Sequence, residues 1–143
     1  MALAILIAII TFGLSGTLHY LVMSRLLSGL PRRQWPRGLQ FLAGLYAVGA
    51  AHLAEAGIYA AGFLAGRALG IGGFKSADGP MGGMDVFYFS LVNYTSLGLG
   101  DIYPTGHLRF LAGVESLNGF LLISCSAAFI YLLMSGHQKN QNT

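Results

Sequence analysis

Charged side chains are scarce in this chain: eight Lys and Arg against five Asp and Glu, 9% of 143 residues. A water-soluble domain carries roughly a quarter charged residues. That shortfall, with 55% hydrophobic residues and a mean hydropathy of +0.64, excludes a soluble domain and points to a membrane. Cysteine occurs once, at Cys125 within the apolar run 121–126. One thiol excludes an intrachain disulfide and gives no reading of redox compartment; it reads as a small packing residue on a helix. No basic stripe is interleaved with aromatics, so the net charge of +3 is not a nucleic-acid footprint. There is no internal repeat and no separate soluble domain. The first apolar run lacks a positively charged leader and, at residues 2–24, is too long for the core of a secretory signal. It reads as a retained helix. Glycine is abundant instead, with 21 residues, a level that membrane helices tolerate.

A membrane-crossing helix needs about 20 apolar residues, and three segments reach that length. They divide the chain into an N-terminal transmembrane helix (1–28), a basic link (29–37), a larger unit (38–136) and a short tail (137–143). Within the larger unit an outer helix is expected over 38–66 and an inner helix over 108–135. Between them, the apolar piece 84–95 spans about 18 Å as a helix, too short to cross but long enough to dip halfway. The fold class expected is therefore an all-α membrane protein, three transmembrane helices plus a re-entrant helix and loop. Arg25, Arg32, Arg33 and Arg37 crowd the link without an acidic neighbour, and Pro31 and Pro36 stop helix formation there. By the positive-inside rule the link and the tail are cytoplasmic and the N-terminus is outside, in the cell inner membrane. Asp78-Gly79-Pro80 and Gly82-Gly83 supply the turn into the half-helix, and Asp85 suits its positive N-terminal end. The negative C-terminal end then points towards the membrane centre, which favours a cation.

After the half-helix comes Thr95-Ser96-Leu97-Gly98-Leu99-Gly100-Asp101, then Ile102-Tyr103-Pro104. A dinucleotide-binding loop is excluded: the third glycine position holds Tyr103, and no strand surrounds the motif. In a membrane, such a glycine loop can line up backbone carbonyls that replace the water shell of a cation. Here the chain resembles the potassium-channel pore family, of the small bacterial two-helix and two-pore-domain kind, with an extra N-terminal helix. The resemblance runs from about 84 to 131 and rests on the loop, the following Tyr-Pro, Arg109 and Gly119. It implies K⁺ as permeant ion, coordinated by the carbonyls of Ser96, Leu97, Gly98 and Leu99, with the Ser96 hydroxyl closing the innermost site. Thr95, Gly100, Asp101, Tyr88 and Phe89 would support the filter. Phe120, Ile123, Ala127 and Tyr131 would face a water cavity, with Tyr131 a candidate gate and Gly119 a bend or a close-packing point. Three positions depart from the family pattern: Leu99 replaces a Tyr or Phe, Ser96 a Thr, and Val92 a Glu that pairs with the filter aspartate. Asp101 is then expected to find a water or Tyr94.

One chain supplies one loop, and a carbonyl cage needs four, so a homotetramer in a lipid bilayer is the expected assembly. No organic cofactor, nucleic-acid partner or catalysed reaction is expected. His19, His52, Glu55 and Glu115 lie within the spans, where ionisable groups must face protein or water. His52 and Glu55, three apart, share a helix face. Glu115 is read first as a hydrogen-bond acceptor for the half-helix. Glu115, His52, Glu55 and His107 are candidate pH sensors. Gly13, Ser15 and Gly16 offer a small-residue docking surface, with His19 on another part of the circumference. The rival readings are a weakly selective monovalent cation channel, a membrane metal- or haem-binding protein using His19, His52 and Glu55, and a non-conducting accessory subunit.

Overall fold

The computed structural model describes residues 1–76, 79 and 81–139. Its elements are α1 (Ala2–Gly29), a 3-10 turn (Leu30–Arg32), α2 (Arg37–Ala68), β1 (Phe74–Ser76), α3 (Gly83–Tyr94), β2 (Ile102–Pro104) and α4 (Leu108–Lys139). Three of the helices are long and apolar enough to cross a membrane: α1, α2 and α4 as far as Ser135. The protein is thus a mostly helical membrane protein. Of the expected turn into the half-helix, Asp78 and Pro80 lie outside the described residues, as does the tail beyond residue 139.

The prolines shape the basic link. Pro31 stands at the start of the 3-10 turn and Pro36 immediately before α2, where its missing N–H costs no helical bond. Gln40 Nε2 donates to the carbonyls of Arg33 (3.1 Å) and Trp35 (3.0 Å), folding the link back onto α2. The Arg33 guanidinium lies 4.5 Å above the Trp35 ring, a cation–π contact.

Helix α1 packs against both α2 and α4. Its buried face is Ala4, Ala8, Thr11, Ser15, His19 and Met23, steps of three or four that form one stripe. This corrects the expected docking surface. Gly13 and Gly16 face open space, and the close approach comes from Gly62 of α2, where a Cβ would stand 2.8 Å from Thr11 Cγ2. Thr11, Ser15 and His19 are successive i, i+4 positions, so His19 shares the docking face with Ser15. Glycines 13 and 16 fall off that row.

Two apolar clusters hold the bundle. One, around Tyr59, Phe63, Val86, Phe89, Leu108 and Leu111, joins α2, α3 and α4. The other, Met23, Leu30, Val48 and Phe129, lies at the opposite end near the basic link. In the first, Phe63, Phe74 and Phe89 meet edge to face with centroids 5.2–5.6 Å apart, the preferred geometry of aromatic pairs. Phe74 thereby brings β1 into the cluster.

The strands form an antiparallel two-stranded ribbon with Phe74 opposite Pro104, Lys75 opposite Tyr103 and Ser76 opposite Ile102. The Thr105 N–H extends it by donating to Gly73 O at 2.7 Å. Three residues per strand carry no readable alternation, which is why the sequence reads as loop here. The ribbon ties the segment after the glycine loop to the connection that leaves α2.

Candidate functional site

The short helix α3 has a defined start. Asp85 stands in its first turn, and its carboxylate accepts the Gly82 N–H at 2.7 Å. At its end the chain does not straighten. The Ser96 N–H donates to Asn93 O (2.9 Å), the Leu97 N–H to Val92 O (3.2 Å), and Thr95 Oγ1 to Val92 O (2.9 Å). The next residues alternate: Ser96, Gly98 and Gly100 have φ of 58°, 59° and 78°, while Leu97 and Leu99 between them do not have positive φ. In a strand, successive peptide groups face opposite ways; alternating left- and right-handed residues lets them face one way. Glycine enters the left-handed region freely. Ser96 does not, and a non-glycine residue there costs about 1–2 kcal/mol. Among the described residues, leaving aside its chain neighbours, nothing lies within 4 Å of a Cβ placed on Gly98 or Gly100, so within one chain it is the backbone angle that calls for glycine. Leu97 and Leu99 are 65% and 57% exposed, uncovered by their own chain.

Asp101 ends the loop. Its Oδ1 accepts its neighbour Ile102 N–H at 3.0 Å, and its Oδ2 accepts the Tyr88 hydroxyl at 2.8 Å. Its partner is therefore neither Tyr94 nor a replacement at Val92. Tyr88 lies one turn before Val92 on the same face of α3, and a phenol is long enough to span that extra turn. Donating to the Asp101 carboxylate raises the pKa of the Tyr88 phenol above its ordinary value. Phe89 points the other way, into the Phe63–Phe74 cluster.

The base of α3 is fixed to α4 through buried polar groups. Glu115, fully buried, accepts from Ser90 Oγ and from Asn93 Nδ2 (2.6 Å). Ser90 Oγ also contacts Ala56 O at 2.6 Å, and Asn93 Nδ2 donates to Ala112 O at 2.9 Å. Ser116 Oγ donates to Asn93 O at 3.0 Å. Glu115 is thus the acceptor for the half-helix. Gly119 follows one turn on. A Cβ there would stand 2.0 Å from Tyr94 O, so α4 crosses the last residue of α3 in direct backbone contact. Of the two readings of Gly119, this is close packing.

A second polar cluster gathers residues from four helices. Glu55, fully buried on α2, lies 2.9 Å from His19 Nδ1 of α1 by Oε1 and 2.9 Å from His52 Nδ1 by Oε2. The Tyr94 hydroxyl donates to the same Oε2 and lies 3.0 Å from His52 Nδ1. His52 Nε2 completes the set, 2.9 Å from Ser126 Oγ of α4. The sequence places His52 and Glu55 together by spacing. Tyr94 and Ser126 are missed there, as are Ser90 and Asn93. The readable signal for the last pair is their three-residue spacing on an otherwise apolar half-helix.

The remaining candidates are placed as follows. Phe120, Ile123, Ala127 and Tyr131 lie on an exposed side of α4, Tyr131 being 69% exposed, while Glu115, Asn118, Ser126 and Phe129 form the opposite, packed side. His107 is exposed just before α4, its N–H donating to Ile71 O at 2.9 Å.

No curated protein and no solved structure gives a match. A family model described as "Ion channel" matches residues 58–135. That range takes in the last third of α2, the ribbon, α3, the glycine loop and α4 to the end of its apolar part, consistent with a small potassium-channel-like pore. Matched over more than half its length, the chain belongs to the ion-channel family.

Proposed function

We propose that the chain assembles as a homotetramer around a four-fold axis and conducts K⁺ selectively through the carbonyls of Ser96, Leu97, Gly98 and Leu99. The observation that carries this reading is the alternation of φ from Ser96 to Gly100. It lets successive carbonyls face one side, as replacement of a cation's hydration shell requires. Assembly is supported by the exposed Leu97 and Leu99, apolar side chains that need cover from neighbouring copies. Asp101, held by Tyr88 and flanked by the ribbon, stands behind the mouth. The C-terminal end of α3 directs its negative dipole at a cation below the loop. The exposed side of α4 bearing Phe120, Ile123, Ala127 and Tyr131 would line the cavity, with Tyr131 as its narrowest ring.

Ion-channel membership itself points to a non-enzyme. The orientation, with link and tail in the cytoplasm of a cell whose inner membrane holds the protein, rests on the four arginines in and just before the link. A weakly selective cation channel is the second reading, favoured by Leu99 and Ser96, which change side chains on the two sides of the filter's middle.

Flux from proteoliposomes with K⁺ or Na⁺ as the sole permeant cation tests the proposal. K⁺ flux well above Na⁺ flux is expected, abolished by Gly98→Ala, whose side chain meets a left-handed backbone. Equal fluxes would select the weakly selective channel, and no flux from protein of tetrameric mass would reject conduction.

A further inference from the structure

We propose that His19, His52 and Glu55 form a binding site for one divalent transition-metal ion of the zinc class, at the seam of α1 and α2 and separate from the filter. One donor atom from each of the three lies within 4.8 Å of the others. Two imidazoles and a carboxylate make a three-ligand set with a fourth position open, a standard zinc arrangement. Imidazole nitrogen suits Zn²⁺ and its neighbours in the transition series, whereas Mg²⁺ and Ca²⁺ take oxygen ligands.

Each histidine Nδ1 is 2.9 Å from its own oxygen of Glu55, a spacing held by a shared proton. Tetrahedral donors around a zinc at bond lengths of about 2.0–2.2 Å stand roughly 3.4 Å apart. The three donors, within 4.8 Å of one another, close around the ion by side-chain shifts of about an ångström, and the displaced protons pass to water. The Tyr94 hydroxyl, which donates to Glu55, stands beside the set, 3.0 Å from His52 Nδ1.

Two further observations favour a ligand over plain helix packing. His52 Nε2 already meets Ser126 Oγ at 2.9 Å, the outer contact by which a metal-ligating histidine fixes its ring. His19 is buried on the docking face of α1, where an apolar side chain would pack more favourably, and its Nε2, the nitrogen away from Glu55, has no partner among the described residues. His52 keeps 18% of its side chain exposed, so the cluster reaches the surface of the single chain. All three ligands precede residues 58–135, the range the ion-channel family model matches.

Calorimetric titration of the full-length, metal-stripped protein in detergent with Zn²⁺ tests the site. One Zn²⁺ per chain at micromolar affinity or tighter is expected, undisturbed by excess Mg²⁺. His19→Gln and His52→Gln should each weaken binding by on the order of a hundredfold or more, since loss of an outer-shell partner alone costs about 10–100-fold. The control His107→Gln should bind as the parent does. No saturable Zn²⁺ binding by the parent protein overturns the proposal, whatever the variants' folding. So does binding that survives both histidine substitutions. The readout is metal rather than flux: zinc binding by a protein that fails to conduct sinks the channel reading alone, and conduction without zinc binding sinks this one alone.

Discussion

Tyr88 shows how a single side chain holds the end of the glycine loop. Where the family pattern expects a carboxylate at Val92, a phenol one turn earlier reaches Asp101 at 2.8 Å. The bond needs the phenol protonated, and its raised pKa means that it stays so past the ordinary phenol value of about 10. The sign follows: the contribution is complete below that value and is lost as pH rises through the raised folded one. Tyr88→Phe should therefore lower K⁺ flux severalfold at neutral pH. Wild-type flux, measured against pH in proteoliposomes, should fall towards that of Tyr88→Phe only in the strongly alkaline range. Ser96 is the complementary case. Its left-handed backbone was not legible from the sequence, because a serine in that position carries no mark of it. Gly98 and Gly100, by contrast, announce theirs.

At the scale of elements, the long helices and the half-helix were readable because apolar length is a physical requirement of crossing or entering a bilayer. An end such as α2's, Arg37–Ala68 against an expected 38–66, shifts by a residue or two because helix termini fray. The β1–β2 ribbon was not readable, since its register depends on aromatic packing of Phe74 against Phe63 and Phe89. Nor was the docking face of α1. Small residues at 13, 15 and 16 suggested one patch, whereas the actual row is set by what α2 offers opposite, Gly62. The crossing of α3 and α4 yields a sharp expectation. Gly119→Ala places a methyl carbon against the Tyr94 carbonyl, and backbone cannot give way as a side-chain end can. Overpacking of this kind costs about 1–3 kcal/mol. A lower thermal midpoint in detergent and a loss of K⁺ flux should appear together, whereas Gly113→Ala, with open space around it, should change neither.

For the whole molecule, orientation rests on very few charges. Arg25, Arg32, Arg33 and Arg37 stand at one end of the bundle, and the aspartates Asp85 and Asp101 at the other. Replacing the four arginines by glutamine should yield a mixed population of orientations, read by protease accessibility of tags at both termini in inverted vesicles. A uniform orientation after the change would remove the positive-inside argument. The extra helix α1 also acquires a place. It lies along α2 and α4 rather than apart from them, and its one buried imidazole reaches Glu55.

Tyr94 closes α3, and its two ends engage different parts of the bundle. Its carbonyl lies against Gly119 of α4, while its hydroxyl reaches Glu55 of α2 and, through it, His19 of α1. The residue works as a lever with two handles and a single fulcrum at the entrance to the glycine loop. One handle is held by α4 and the other by the cluster around Glu55, and both bear on the residue that leads into Thr95 and Ser96. Contacts from opposite sides of this small protein therefore converge on one residue just before the glycine loop.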